Sequence, residues 1–181
     1  MRPAGFEIRG CQTRTMIEGD GGIAETRVTL ERIEPDQALR IIARDEAPGD
    51  SWEAEYPLED ELDPLRCLAA STHPHPVFTL YMIRRVSDGR AIGGFGFFGP
   101  PDEEGRVEFG YGLVPSARGI GLATEAVLLG LERARDAGAR IAVAETEREN
   151  HASRRVLSKA GFTEVAREGS LVLYSRDLRR A

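Results

Sequence analysis

Four groups in the C-terminal half carry residue types and spacing that suit chemistry: Arg118 with the glycine pair Gly119 and Gly121, a lone acid at Glu108, an asparagine at Asn150, and a serine at Ser153. Val107, Phe109, Tyr111 and Leu113 alternate as a strand that ends at Pro115. A glycine turn then leads into a helical run free of proline, and glycine returns only at Gly130. The first turn of a helix has unpaired N–H groups and the positive end of the helix dipole, so it can hold an anion. Gly119 and Gly121 leave room for a phosphate to reach the backbone, and Arg118 supplies a cation beside it. A dinucleotide-binding turn would need a third glycine where Thr124 stands, and the Gly-Lys-Ser/Thr of a P-loop is absent. A plain strand-to-helix turn without ligand is the alternative.

The order Arg118-x-x-Gly121-x-Ala123 resembles the acyl-CoA pyrophosphate loop of the GCN5-related N-acetyltransferases, the GNAT superfamily. The run from Asn150 to Phe162, N-H-A-S-R-R-V-L-S-K-A-G-F, resembles the second signature of that superfamily in its RimJ/RimL-like branch. The resemblance implies an acetyl-CoA-dependent N-acetyltransferase acting by direct attack of a primary amine in a ternary complex. It also implies acetyl-CoA as co-substrate, no metal, and a homodimer by default. The amides of Arg118, Gly119, Ile120, Gly121, Leu122 and Ala123 would hold the pyrophosphate. Leu113 and Val114, beside a splayed central strand, would meet the pantetheine arm, and Asn150 would contact it too. A catalytically inactive acyl-CoA sensor or interaction module of the same fold is the other reading.

Acetyl transfer to an amine needs the amine neutral, the carbonyl oxygen stabilised and the leaving thiolate protonated. A lysine-like amine with a pKa of about 10.4 is mostly charged at neutral pH, a handicap of ~4 kcal/mol. A carboxylate near the amine relieves it. By period-2 alternation Glu108 shares a strand face with Gly110 and Gly112, so it looks across an open face, while Phe109, Tyr111 and Leu113 point to the core. Acids on this strand act as general base in several members of the resembling family, which makes Glu108 the candidate base. A surface carboxylate pairing with Arg106 is the other possibility. The tyrosine that many members use to protonate the thiolate is replaced by Leu157, and the RimJ/RimL-like resemblance points instead to Ser153, one turn after Asn150. Asn150 also stands where a helix N-cap is wanted.

The chain has 181 residues, 41% hydrophobic and 30% charged, enough for one domain with a full core. The net charge of −6 argues against a nucleic-acid binder and favours a cationic partner. Cys11 and Cys67 are far apart, which suggests neither a disulfide framework nor a zinc module. The N-terminus lacks an apolar core of signal-peptide length, and no run approaches the ~18 apolar residues of a membrane span. A cytoplasmic protein without membrane contact is the expectation.

The elements that position these groups follow in order. Residues 1–25 read as a loose arm, and residues 26–181 as one acetyltransferase domain. A strand from Thr26 precedes a helix with Pro35 in its first turn. A second helix spans Leu58 to Ala70, with Leu62, Leu65, Cys67 and Leu68 as its buried stripe. In the resembling family this region covers the acceptor site, so Trp52, Tyr56 and the acids Glu53, Glu55, Glu59, Asp60 and Glu61 are candidates for substrate contact. The acceptor would be a small-molecule amine, cationic, or a protein N-terminus. Proline follows both His73 and His75, and no nearby acid or thiol completes a metal set. Val77–Val86 and Ala91–Phe98 form a hairpin through Asp88-Gly89; strand 140–145, a helix from Asn150 and a closing hairpin through Glu168-Gly169 complete the chain. The expected class is α+β, with a mixed, mostly antiparallel sheet of about seven strands flanked by about four helices.

Overall fold

The strand, turn and helix at the centre of the sequence form as expected, and the rest of the chain is built outward from them. A computed structural model describes residues 25–179, so the expected arm, apart from Glu25, and Cys11 lie outside the described residues. In chain order the elements are β1 (Val28–Arg32), α1 (Pro35–Ala43), α2 (Leu62–Ala69), β2 (Leu80–Arg85), β3 (Ala91–Phe97), β4 (Arg106–Leu113), α3 (Leu122–Asp136), β5 (Ile141–Glu147), α4 (His151–Lys159), β6 (Thr163–Glu168) and β7 (Leu171–Asp177). They build one seven-stranded sheet in the order β1-β2-β3-β4-β5-β7-β6. Every neighbouring pair is antiparallel except β4 and β5.

The parallel pair is short. Arg106, Val107 and Glu108 register with Ile141, Ala142 and Val143, and there the pairing ends. From Phe109 to Leu113 β4 pairs with β3 alone, while β5 stays with β7 as far as Glu147. Two neighbouring strands therefore part in the middle of the sheet.

Period-2 alternation gives β3 two unlike faces. Phe95 and Phe97 are buried on one face, and Phe95 stacks on Phe109 with centroids 5.4 Å apart. Helix α3 covers this face, and Gly130 lets it come down onto Phe95: a Cβ there would lie 2.2 Å from the ring. Gly94, Gly96, Gly110 and Gly112 occupy the opposite face and leave a hollow under the segment from Tyr56 to Leu65.

Two boundaries differ from expectation. Glu59–Glu61 forms a 3-10 turn and α2 begins only at Leu62. Leu65 and Leu68 are buried, but Cys67 is exposed, because at 100° per residue it falls about 200° from Leu65 and outside the stripe. Strand β2 starts at Leu80 rather than Val77, since His75 Nδ1 accepts hydrogen bonds from the Val77 and Phe78 amides and holds that segment as a turn.

Alanine in place of an interior helix glycine ordinarily stabilises by ~1 kcal/mol, whereas overpacking a core costs about 1–3 kcal/mol. At Gly130 the contact with Phe95 decides the sign. Gly130→Ala is expected to lower unfolding free energy in denaturant titration, and the loss to shrink in a Phe95→Leu background; strictly additive effects would contradict the packing argument.

Candidate active site

Where β4 leaves β5, backbone polar groups lose their sheet partner. The Val114 amide donates to Ile92 O (2.9 Å) and the Phe98 amide to Glu108 O (3.0 Å), so the even-numbered positions of β4 turn their polar groups to β3. By the same alternation, the backbones of Phe109, Tyr111 and Leu113 face the opening. Leu113 thus stands where the sequence places it, with its carbonyl accepting Arg118 Nε at 2.7 Å. Val114 does not face the opening: it is fully buried, and its carbonyl accepts the Ala117 amide.

The opening continues into the turn before α3. Among the described residues no acceptor stands opposite the amides of Gly119, Ile120, Gly121, Leu122 and Ala123. Gly121 is the N-cap of α3 at φ 92°, a left-handed conformation that glycine adopts at little cost. Ile120 points to solvent. Glu125, in the first turn of α3, would repel an anion here, but Arg27 clamps it: its backbone amide donates to Oε2 (2.9 Å) and its Nε to Oε1 (2.7 Å). Arg27 Nη2 also lies 3.2 Å from where a Gly121 Cβ would be. Nothing local marks Arg27, because its partner is far away in sequence.

Helix α4 forms the opposite wall. Asn150 Oδ1 accepts the Ser153 amide at 3.0 Å and caps the helix. Ser153 Oγ lies 2.9 Å from Tyr111 Oη, a bond that crosses the opening from β4 to α4. Tyr111 is therefore only half-buried rather than a plain core residue. Burial, partly offset by the Ser153 hydrogen bond, pushes its phenol up to about 12, so it keeps its proton at neutral pH. The sequence signal was a tyrosine at a core position, since a phenol that goes inside needs a polar partner. Leu157, at the place of the usual tyrosine acid, is completely buried. Together these walls enclose a cleft of about 620 Å³ that brings Leu113, Arg118, Gly119, Gly121, Leu122, Ala123, Asn150 and Ser153 together.

A second cavity, of about 320 Å³, lies over the glycine face of β3 and β4. Tyr56 lines it; Trp52 does not, being 6% exposed and packed edge-on against Tyr56. Glu108 lines neither cavity. It is exposed on the same face of β4, and the Phe98 ring stands over Gly110, between Glu108 and Gly112. Partial burial, with Glu145 nearby, raises the Glu108 carboxyl above its usual range. Arg106 pairs with Asp102 and Glu104 instead of Glu108. Asp60 and Glu61 both line the second cavity; Asp60 is exposed, whereas Glu61 reaches over Gly94.

This layout, a central strand that parts from its parallel neighbour beside an open helix N-terminus, has counterparts among known proteins. The family profile described as "Acetyltransferase (GNAT) domain" matches residues 27–163. The chain belongs to the GNAT acetyltransferase family. An uncharacterised N-acetyltransferase of Bacillus subtilis, YjdG, is 34% identical over 87 residues, or 47% of this chain; the match spans about half (51%) of that protein's length. The solved structure of ribosomal-protein-S5-alanine acetyltransferase from Vibrio fischeri superposes with a TM-score of 0.61 at 17% identity, over 92% of this chain and 98% of that one. RimJ from Mycobacterium smegmatis, solved with CoA-disulfide, gives 0.58 at 22% identity, over 83% and 81%. At these identities the structures establish a shared fold. Among the described residues no three His, Cys, Asp or Glu side chains gather as a metal group, and no helix is long and apolar enough to cross a membrane.

The Asn150 cap predicts a stability effect. Loss of such a cap costs about 0.5–2 kcal/mol, so Asn150→Ala should lower the unfolding midpoint while Asn150→Asp largely preserves it; equal midpoints for Asn150→Ala and wild type would deny the cap its role.

Proposed function

We propose that this GNAT domain transfers an acetyl group from acetyl-CoA to a primary amine by direct attack within a ternary complex. The observation that carries the reading is the unpaired amide array from Gly119 to Ala123, opening directly onto the gap between β4 and β5. An array of N–H groups at a helix N-terminus suits a pyrophosphate, and an unpaired strand edge suits the amide-bearing pantetheine arm, which can lie along it as an added strand. The residues present therefore fit acetyl-CoA. When bound, it supplies an activated acetyl thioester.

The chain's own groups divide the remaining work. Arg118 and the Gly119–Ala123 amides bind and orient the phosphates, with Arg27 cancelling the charge of Glu125 beside them. The Leu113 backbone aligns the arm. Ser153 Oγ, backed by the neutral Tyr111 phenol, offers a proton or hydrogen bond on the sulfur side of the cleft. Cys67 lies exposed on α2 and lines neither cavity, which supports direct transfer over an acyl-cysteine. The negative charge of the exposed Glu108 would attract a cationic amine from solvent. The names of the structural neighbours and the Asn150–Phe162 signature favour the RimJ/RimL-like branch, and with it a protein N-terminus or a small amine as acceptor.

Calorimetric titration of acetyl-CoA into wild type and Gly121→Glu tests the reading. Wild type is expected to bind in the micromolar range and to release thiol when an amine is added. Gly121→Glu, which puts a charge and a side chain at the helix N-cap, is expected to weaken binding by about tenfold or more. Arg27→Ala, which leaves the turn unchanged, should weaken it too, and less so at high salt. Undiminished affinity in both variants would remove the loop as the pyrophosphate site.

A further inference from the structure

The acceptor side holds a carboxyl whose surroundings differ from those of every other acid in the covering segment. Glu61 ends the short turn before α2 and points down onto the glycine face. Its Oε1 lies 2.6 Å from where a Cβ on Gly94 would be and 3.9 Å from one on Gly112, so only a bare backbone below admits it. Oε2 accepts the Leu58 amide at 3.3 Å, which fixes the side chain's direction. Oε1 is buried over the Gly94 backbone, and no side chain among the described residues pairs with it. A buried carboxylate oxygen without such a partner costs free energy unless a ligand satisfies it.

Its position is as specific as its burial. The amine-side cavity and the acetyl-CoA cleft share Asp60, Tyr111 and Gly112. Glu61 lines the amine-side cavity next to that junction, with Oε1 3.9 Å from where a Gly112 Cβ would be, near the strand edge where the reacting carbonyl must lie under the reading above. Glu108 is two alternation steps back from Gly112 and screened by the Phe98 ring. The rest of the cavity is built mainly from Ile33, Tyr56, Leu65, Leu80 and Phe98 with bare glycine backbone, the exposed Asp60 lies at its edge, and the cavity is small. One inward carboxyl in an apolar chamber suits one amine on an apolar body, not a chain of several cations.

We propose that Glu61 is the catalytic base that takes the proton from the acceptor amine, and that this acceptor is a compact primary monoamine with an apolar body. The proposal rests on the acetyltransferase reading. In the balanced step, the ammonium gives one proton to Glu61 Oε1, and the freed nitrogen lone pair forms the C–N bond to the acetyl carbon as the C–S bond breaks. That bond's electron pair leaves on sulfur, which takes the second N–H proton, and Glu61 returns its own proton to water.

Burial, reinforced by Asp60 and opposed by the Leu58 and Gly94 backbones, pushes the Glu61 carboxyl up to about 8. Tyr56 and Tyr111, which also border the cavity, are held above their ordinary range by burial, as is Tyr81 of β2; Arg84 and Glu31 act on Tyr56 from behind. A base with such a value is far stronger than an exposed carboxylate and matched to neutral pH. The free enzyme needs it ionised, so kcat/KM should climb with pH through a midpoint near pH 8 and level off above it. Because the folded state binds this proton more tightly than the unfolded chain, the carboxyl's contribution to stability falls as pH rises from about 4.5 to about 8.

The test compares wild type, Glu61→Gln and Glu108→Gln, with phenethylamine and spermidine as probes, acetyl-CoA affinity by calorimetry, and Tm across pH. Glu61→Gln should keep acetyl-CoA affinity, lose about a hundredfold or more in kcat/KM and lose the rising pH limb. Its Tm should also gain on wild type between pH 5 and pH 8. Phenethylamine should outperform spermidine. A pH limb that persists in Glu61→Gln, a larger loss in Glu108→Gln, a flat Tm difference or a preference for spermidine would overturn the proposal. Failure of wild type to bind acetyl-CoA would instead overturn the acetyltransferase reading, and the Tm comparison would still report on Glu61.

Discussion

The parting of β4 from β5 after Glu108 is the constraint on which the rest of the structure depends. A sheet normally satisfies each strand's backbone groups with its neighbours, and an unpaired edge inside a fold is costly unless something else pairs with it. Here the outward groups of Phe109, Tyr111 and Leu113 are left facing a cleft, and the same cleft runs into five amides at the start of α3. Both features are unsatisfied donors or acceptors that a ligand rich in amides and phosphates can meet. Protein side chains close only the edges of the gap, through Arg118 on the Leu113 carbonyl and Ser153 on the Tyr111 phenol.

The two faces of the sheet serve different ends through the same alternation. Large aromatics on one side, Phe95 and Phe109 among them, lock β3 and β4 to α3 and hold the strand edge rigid. Glycines on the other side remove bulk and leave the smaller cavity open above the sheet. The helix N-terminus stays electropositive because Arg27 neutralises Glu125, while over the glycine face the Glu61 carboxyl is turned inward over Gly94. The two cavities meet at Asp60, Tyr111 and Gly112.

Much of this frame was legible in the sequence. Alternation, proline and glycine placed the strand, turn and helix around Pro115, and the eleven elements follow the expected order. The glycine turn before α3 was legible because its signals are local. What escaped depends on contacts between distant segments. Arg27 meets Glu125 only once β1 lies beside α3. Tyr111 was assigned to the core because alternation fixes a face but not how far a side chain reaches along it. In the sequence Glu61 is one of five acids offered for substrate contact, and only the bare backbone of Gly94, in β3, distinguishes it. Cys67 falls outside the buried stripe because it lies about 200° around the helix from Leu65.

Amide hydrogen exchange with and without acetyl-CoA measures the central claim most directly, since it reads the unpaired backbone itself. The account predicts fast exchange at Gly119 to Ala123 and at Tyr111 and Leu113 in the free protein, and strong protection at these same positions when acetyl-CoA is bound. Protection confined to other segments, or exchange at these amides that is already slow without ligand, would contradict it.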